Sequence, residues 1–395
     1  MSGDVFSGLV GQDNAVALLR AAAADAPAAR AGQHSTSMTH AWLITGPPGS
    51  GRSTAALAFA AALVCPQGGC GTCQECTSVR HSAHVDVEHV VPESVTYAVD
   101  ETRELVRRAS ISPSRAPWHV FVLEDADRLN PESANTLLKS IEEPTPGTVW
   151  ILCAPSTEDV LPTIRSRCRH LMLATPTTAE VADALQRVLG VDPAMASFAA
   201  RAAQGHIGRA RALATDESAR LRRQDVLRIP SQLRDLGSCL ALAADLVATV
   251  TEDAASICDP LDADEMQALR AAYGEGSEGR GIGTVERRAK GALKALEDRQ
   301  KRRRRRVVRD QLDRAIVDLI AFYRDVLVVQ LGAASPLVND EMRPQIERVA
   351  AESSPEDTLL RVDALERTRN LLEANVAPLL AFESLTVSLR DPSLV

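Results

Sequence analysis

The chain has 395 residues, which is too long for one ordinary hydrophobic core, so two or three domains are expected. Its apolar fraction of 45% is that of a globular protein, and 3% aromatic residues with abundant Ala and Leu favour helix. The net charge of −8 argues against a uniformly basic nucleic-acid binder. Since no N-terminal apolar segment or 18-residue apolar run is found, we expect a cytoplasmic protein without membrane contact, whose cysteines are reduced.

The first elements in chain order lead to a glycine-rich loop. A turn and a helix are predicted within Phe6–Leu19, followed by a loose connection over Ala21–Met38. Apolar Ala41–Thr45 predicts a buried strand, and small apolar residues over Thr54–Leu63 predict a helix. Strand, glycine loop and helix are the context of a phosphate-binding loop, because backbone N–H groups and the helix N-terminus together attract an anion. The loop consists of Gly46, Pro47, Pro48, Gly49, Ser50, Gly51, Arg52 and Ser53.

One position of this loop departs from the phosphate-loop pattern. Ser53 stands where the pattern has the hydroxyl that binds Mg²⁺, but Arg52 replaces the Lys before it. Arginine keeps the positive charge, yet its planar guanidinium does not replace a compact ammonium group in a tight loop. The sequence therefore predicts a nucleotide site for ATP with Mg²⁺ that is degenerate.

Four cysteines follow closely, in the segment 65–76. Cys65, Cys70, Cys73 and Cys76 lie within twelve residues, and interspersed glycines allow the chain to fold around an ion. This pattern favours a structural, tetrahedral Zn²⁺ site, with all four coordination positions filled by protein. Disulfides and an iron–sulfur cluster are the alternatives, the first disfavoured in a reducing compartment.

Acidic residues follow the next strongly apolar strand. His119–Leu123 is predicted to be a strand, and Glu124 and Asp125 come directly after it as a Walker B-like pair. Carboxylates at this position hold Mg²⁺ and orient water beside a phosphate loop. The alternative is that they are ordinary turn residues at the end of a strand.

The alternation of strands and helices up to residue 174 predicts a parallel, doubly wound sheet. Beyond Pro176 the strand signals end, and three short helices are predicted over Ala179–Leu189, Pro193–Gln204 and Gly208–Ala214. The rest predicts a helical bundle with helices over 233–250, 263–273, 285–331, 340–351 and 356–389 and a flexible break over 274–283. We therefore expect α/β plus all-α architecture: an α/β domain over 1–174, a helical lid domain over 175–229 and a helical collar domain over 230–395.

A basic run, Arg299–Arg309, lies on the longest predicted helix. Contact with DNA phosphates is one interpretation of this run. The other is a solvated helix surface near acidic partners of the same chain.

The order of these motifs along the chain resembles that of a known family. GPPGSGRS, the four-cysteine insertion, LEDADRL, ANTLLKSIEEP and SRC follow one another in this chain. In this order they resemble the delta-prime subunits of the bacterial DNA polymerase III clamp loader, which belong to the AAA+ class. The resemblance covers Phe6 to about Leu213. Beyond Leu213 only the architecture, and not the motifs, resembles that of the family.

The resemblance implies a function and partners. Members of the family form a hetero-pentameric ring with gamma/tau and delta subunits, which opens the sliding beta clamp and places it on primed DNA. Ser166, Arg167 and Cys168 match the SRC motif of the family. Arg167 is then expected to be an arginine finger that reaches the ATP of a neighbouring subunit, where a guanidinium stabilises the developing charge. The alternative for Arg167 is a surface ion pair.

Four departures from the active ATPase pattern agree with one another. They are Arg52 in the loop, the order Glu124 then Asp125, the segment Ala154–Ser156 where a sensing Thr or Asn is usual, and Gly208 where active members carry a sensor Arg. Together they predict a subunit that hydrolyses ATP poorly or not at all. An active gamma/tau-like ATPase or other AAA+ remodeller, and a zinc-containing DNA-binding protein, are the alternatives.

Overall fold

The structure is a computed structural model that describes residues 4–92, 96–272 and 282–394. It divides into two compact units, Met1–Asp216 and Glu217–Val395. Among the helices of the described ranges, none combines the length and apolarity that a membrane crossing requires.

The first unit alternates helices and strands and then becomes helical. Its elements are α1 (Asp13–Arg30), β1 (Ala41–Thr45), α2 (Arg52–Val64), α3 (Gln74–Arg80), β2 (Val87–Val90), α4 (Val99–Ala109), β3 (His119–Leu123), α5 (Pro131–Glu142), β4 (Thr148–Ala154), α6 (Pro162–Arg165), β5 (Arg169–Met172), α7 (Thr178–Leu189), α8 (Pro193–Ala203) and α9 (Ile207–Thr215). The three helices predicted after Pro176 are confirmed as α7, α8 and α9.

The five strands form one parallel sheet in the order β2-β3-β4-β1-β5. Successive residues of a strand face opposite sides of a sheet. On β1, Trp42 and Ile44 face a core built with α1 and α2, whereas Ala41 and Leu43 face a core built with α4 and α5. Helices on both faces make the sheet doubly wound, and the predicted α/β plus all-α fold class is confirmed.

The sheet order places the glycine loop at a crevice. β1 lies between β4 and β5, so the chain leaves the sheet centre after β1 and returns at the far edge as β2. In open α/β sheets such a reversal of strand order leaves a crevice at the carboxyl ends of the strands, where ligands bind. The loop after β1 and the acidic residues after β3 both lie at that end.

In the described residues of the second unit, all regular secondary structure is helical. Its helices are α10 (Glu217–Arg228), α11 (Leu236–Ala272), α12 (Ile282–Gln330), α13 (Arg343–Glu352), α14 (Pro355–Glu373) and α15 (Pro378–Arg390). Its core centres on buried residues of α12, among them Leu312, Phe322 and Tyr323.

Two helix predictions in this unit were wrong. The segments 233–250 and 263–273 were expected to be separate helices, but α11 is continuous and contains Pro260. The segment 356–389 was expected to be one helix, but it divides into α14 and α15, because Asn375 has a φ of 60° and Pro378 begins a new helix. Most of the predicted flexible break, residues 274–281, lies outside the described residues, and its last two residues begin α12.

The division into three domains remains a prediction. The structure has one boundary at Asp216/Glu217, which assigns α10 to the second unit. The sequence prediction had placed residues up to 229 with the lid.

Candidate functional site

Two glycines give the loop after β1 its shape. Gly49 and Gly51 have φ values of 86° and 95°, in the left-handed region that residues with a Cβ rarely adopt. Gly51 is the N-cap of α2, so the loop ends at a helix N-terminus. The Gly46 N–H donates to the Pro155 carbonyl after β4, with an N–O distance of 3.2 Å. The loop is therefore anchored to the neighbouring strand and presents a helix N-terminus to the crevice.

A lid residue lies directly on this loop. An ideal Cβ placed on Gly49 would lie 2.5 Å from the Cα of His206, so only glycine fits there. The Ile207 N–H donates to the Gly49 carbonyl at 3.3 Å. His206 is also the N-cap of α9, where its Nδ1 accepts from the Arg209 N–H. The contact fixes the N-terminus of a second helix against the phosphate loop.

Three polar atoms around the loop are buried without a hydrogen-bond partner among the described residues. They are Ser50 Oγ, Arg52 Nη1 and Asp127 Oδ1. Ser50 is only 1% exposed. Buried polar groups in proteins are normally paired, and each exception needs an explanation. A phosphate oxygen is a partner that Ser50 and Arg52 can both use, so the residues present fit a phosphate-bearing ligand.

The acidic residues after β3 are engaged within the chain. Glu124 is buried, and its Oε1 lies 3.0 Å from His89 Nε2 on the edge strand β2. The Tyr97 hydroxyl donates to the Glu124 carbonyl at 2.6 Å. Asp125 has a φ of 48°, and its Oδ2 lies 3.7 Å from Arg128 Nε. Both predicted Mg²⁺ ligands thus have protein partners.

The positive charge of Arg52 reaches the acidic side of the crevice. Burial raises the pKa of Asp127, Asp125 raises it further, and the Arg52 charge acts in the opposite direction. Burial also raises the pKa of Cys153 on β4, and Arg52 again opposes this effect. The charge of Arg52, at the start of α2, therefore acts on groups that belong to β4 and to the segment after β3.

The four predicted zinc ligands come together. The Sγ atoms of Cys65, Cys70, Cys73 and Cys76 all lie within 4.8 Å of one another. Cys65 Sγ is 3.8 Å from Cys70 Sγ and 3.6 Å from Cys73 Sγ. Four sulfurs at about 2.3 Å from a tetrahedral Zn²⁺ would be roughly 3.8 Å apart. The cluster therefore has the dimensions of a zinc site.

Backbone amides support the thiolate form that zinc requires. The Cys73 N–H donates to Cys70 Sγ at 3.4 Å, and the Cys76 N–H donates to Cys73 Sγ at 3.5 Å. Amides, led by that of Thr72, lower the pKa of Cys70 to about 6. Burial raises the pKa of Cys76. All four are free thiols, so the disulfide alternative is not found.

Arg167 lies between α6 and β5, away from the phosphate loop in the chain. Its side chain is 38% exposed and pairs with Glu142 at the end of α5. Its Nη1 donates to the Thr163 carbonyl at 2.8 Å. The surface ion pair considered from the sequence is thus present, and the guanidinium remains at the surface.

The basic run on α12 faces acidic residues of α11. Arg303 donates to Glu265 at 2.8 Å and also pairs with Asp262. Arg304 pairs with Asp259. The Arg303 hydrogen bond lowers the pKa of Glu265 to about 2. For these arginines the structure has the intramolecular pairs that the second interpretation expected.

Two residues of the site were missed from the sequence. His89 is an ordinary residue of an alternating strand, and nothing in its spacing indicates contact with Glu124 thirty-five positions later. His206 lies in the segment GHIGR, in which Gly208 was the position compared with a sensor Arg. Its place directly before a helix is a signal for an N-cap.

The fold and the loop define the first unit as a doubly wound α/β domain with a glycine-rich loop after β1 and a four-cysteine insertion. Residues 29–177 match the protein family described as DNA polymerase III, delta subunit. The DNA polymerase III subunit delta' of Pseudomonas aeruginosa is 36% identical over 163 residues, which are 40% of this chain and 50% of that protein. The gamma/tau subunit of Mycobacterium tuberculosis is 36% identical over 138 residues, or 34% of this chain and 24% of that protein.

A RuvB variant of Thermotoga maritima overlaps with 56% of this chain and 64% of that chain, at 19% identity and a TM-score of 0.38. The chain spans about half the length of the delta' relative and about a quarter of the gamma/tau relative. The family resemblance read from the motifs is confirmed for residues 29–177, which match the DNA polymerase III delta subunit family.

Proposed function

We propose that the chain is a non-hydrolysing subunit of the DNA polymerase III clamp loader. In this proposal it supplies Arg167 to ATP bound by a neighbouring subunit and helps place the sliding beta clamp on primed DNA. The observation that carries the proposal is the family match over residues 29–177, since this segment contains the loop, the cysteine cluster and Arg167.

The proposed partners follow from the relatives. The subunit would take its place in a hetero-pentameric ring with gamma/tau and delta subunits in the cytoplasm. The zinc ion would be structural, because all four of its ligands are cysteines of this chain. ATP or another nucleotide would occupy the loop at Gly46–Ser53 without being turned over.

The engaged carboxylates support the absence of hydrolysis. An active site needs a carboxylate that orients water or holds Mg²⁺ beside the terminal phosphate. Here Glu124 is hydrogen-bonded to His89, Asp125 is paired with Arg128, and Arg52 replaces the loop Lys. Each feature removes one part of that machinery.

A gamma/tau-like ATPase is the second candidate. The identity to a gamma/tau subunit equals that to a delta' subunit, at 36%. The identities therefore do not separate the two, and measurable ATP turnover by the isolated chain would favour the ATPase. The third interpretation, a zinc-containing DNA-binding protein, finds less support because Arg303 and Arg304 are paired with α11.

The decisive variant is Arg167→Ala in a reconstituted clamp loader. A finger in trans contributes about 10³-fold or more to hydrolysis at the site it faces. We expect that ATP hydrolysis at the neighbouring site is lost, that assembly is unchanged, and that the isolated chain is inactive. Steady-state ATPase rates with clamp and primed DNA, with size-exclusion chromatography of the complex, measure this.

Glu142→Gln is the matched control, because it removes the ion pair and leaves the guanidinium in place. The proposal expects near-normal hydrolysis for this variant. An equal loss of ATP hydrolysis in the two variants would mean that Arg167 acts through its ion pair with Glu142 and not on ATP. Turnover by the isolated chain, with no effect of Arg167→Ala in the complex, would establish the ATPase alternative instead.

A further inference from the structure

In the nucleotide site of the proposed function, the two carboxylates predicted to hold a metal, those of Glu124 and Asp125, already have partners within the chain. A Mg²⁺ ion at a phosphate loop is held by the loop hydroxyl, an acidic residue of the neighbouring strand end and the phosphates. In this chain the carboxylate of Glu124 lies 3.0 Å from His89 Nε2, and that of Asp125 lies 3.7 Å from Arg128 Nε. A metal would have to displace these partners before it could use either residue.

A cation is already present at the end of the loop. Arg52 begins α2, directly after the loop, and its Nη1 is buried without a hydrogen-bond partner among the described residues. Its charge acts on Asp127 after β3 and on Cys153 at the end of β4. The charge of Arg52 therefore acts on groups at the ends of β3 and β4.

The loop itself keeps its means of binding phosphate. Ser50 Oγ is buried and lacks a partner within the described part of the chain. The N-terminus of α2 lies at the same end of the sheet, and Gly49 and Gly51 have the left-handed backbone conformation typical of an anion-binding loop. Phosphate binding can therefore be separated from metal binding in this loop: Ser50 and Arg52 have polar atoms without a partner among the described residues, while the predicted metal ligands Glu124 and Asp125 are engaged.

From this geometry we propose that the loop binds the phosphates of a nucleoside di- or triphosphate without a divalent cation, with Arg52 supplying the counter-charge. The inference rests on the proposed function in so far as that function includes a nucleotide in this loop. A guanidinium suits the task because it donates two parallel hydrogen bonds to phosphate oxygens. Ser53, the residue expected to hold Mg²⁺, then has no part in affinity.

The test is an equilibrium titration of the full chain with fluorescent ADP and ATP analogues, once with Mg²⁺ and once with EDTA. The two dissociation constants are expected to agree within about twofold. Arg52→Gln should weaken binding by about tenfold or more in both buffers, since it removes hydrogen bonds between charged groups. Ser53→Ala should change binding less than about twofold in either buffer.

Arg103→Gln, at an exposed arginine of α4, is the matched control for loss of one positive charge. Zinc content and circular dichroism establish that Arg52→Gln is folded. Binding that Mg²⁺ tightens tenfold, with the gain lost in Ser53→Ala, would overturn the inference in favour of an ordinary metal site. Absence of saturable binding in both buffers would also overturn it. Neither result bears on Arg167, whose effect is measured at the ATP site of a neighbouring subunit.

Discussion

At the residue scale, the cysteine cluster gives the most direct test of a single side chain. Cys70 receives hydrogen bonds from two amides and lies against Cys65, so it is poised as a thiolate ligand. We expect Cys70→Ser to lower the zinc content well below one ion per chain. The melting temperature should fall by at least about 5 °C, because each kcal/mol shifts it by about 2–4 °C in a unit of this size. Metal analysis and thermal unfolding measure both effects.

Cys258→Ser is the control for that substitution, since Cys258 is a buried cysteine of the second unit. It should leave the zinc content unchanged. Full zinc content in Cys70→Ser would show that the four sulfurs do not form the site. Iron in place of zinc in the purified protein would favour the iron–sulfur alternative.

Residue types and spacing were enough to predict that the four cysteines come together, because all four lie within one short segment. The same holds for the loop, whose residues are consecutive. The partners of Glu124 could not be predicted, since His89 reaches it only through the pairing of β2 with β3. Contacts that depend on strand order have no local signal in a single sequence.

At the element scale, α11 shows how tertiary contacts override a local helix breaker. Pro260 lacks a backbone N–H and normally interrupts a helix, and it lies in the gap between the two helices predicted from the sequence. Asp259 and Asp262 flank this proline, and both pair with Arg304 of α12. These ion pairs and the packing of α11 on α12 stabilise the helix across the proline. Each charged residue can be seen in the sequence, but the contact between α11 and α12 that pairs them cannot.

The Glu265–Arg303 pair predicts a pH dependence for this helix pair. The hydrogen bond from Arg303 lowers the pKa of Glu265 from 4.5 to about 2. Because the folded-state pKa is depressed, the pair stabilises the helices above about pH 4.5, and the stabilisation is lost as the pH falls toward 2. Glu265 is 33% exposed, so screening limits the contribution to about 1 kcal/mol. We expect Glu265→Gln to speed amide exchange in α11 at pH 7 but not near pH 2.

Glu252→Gln, at an exposed position of the same helix, is the control and should leave exchange unchanged at both pH values. A difference between wild type and Glu265→Gln that persists near pH 2 would show that the effect comes from packing and not from charge.

At the scale of the whole molecule, the boundary between the two units depends on which of them contains α10. The sequence prediction ended the lid domain at residue 229 and so included the residues of α10. In the structure α10 belongs to the second unit, which begins at Glu217. Arg223 of α10 is 5% exposed and is buried against α12 and the turn before α13. A buried charge network of this kind, and not the local sequence, joins the helix to its unit.

Loss of Arg223 should therefore destabilise the second unit and spare the first. Its Nε lies 3.2 Å from Asp318, and its Nη1 lies 2.7 Å from Glu341. Arg223→Ala leaves Asp318 buried without this partner, which costs about 3–5 kcal/mol of unfolding free energy. Arg222→Ala, which removes a more exposed arginine that pairs with Asp253, should cost less than about 1 kcal/mol. Urea unfolding followed by amide exchange in α12 measures both, and zinc content reports on the first unit. If the two variants lose the same free energy of unfolding, or if Arg223→Ala also releases zinc, the pairs of Arg223 with Asp318 and Glu341 do not define the second unit.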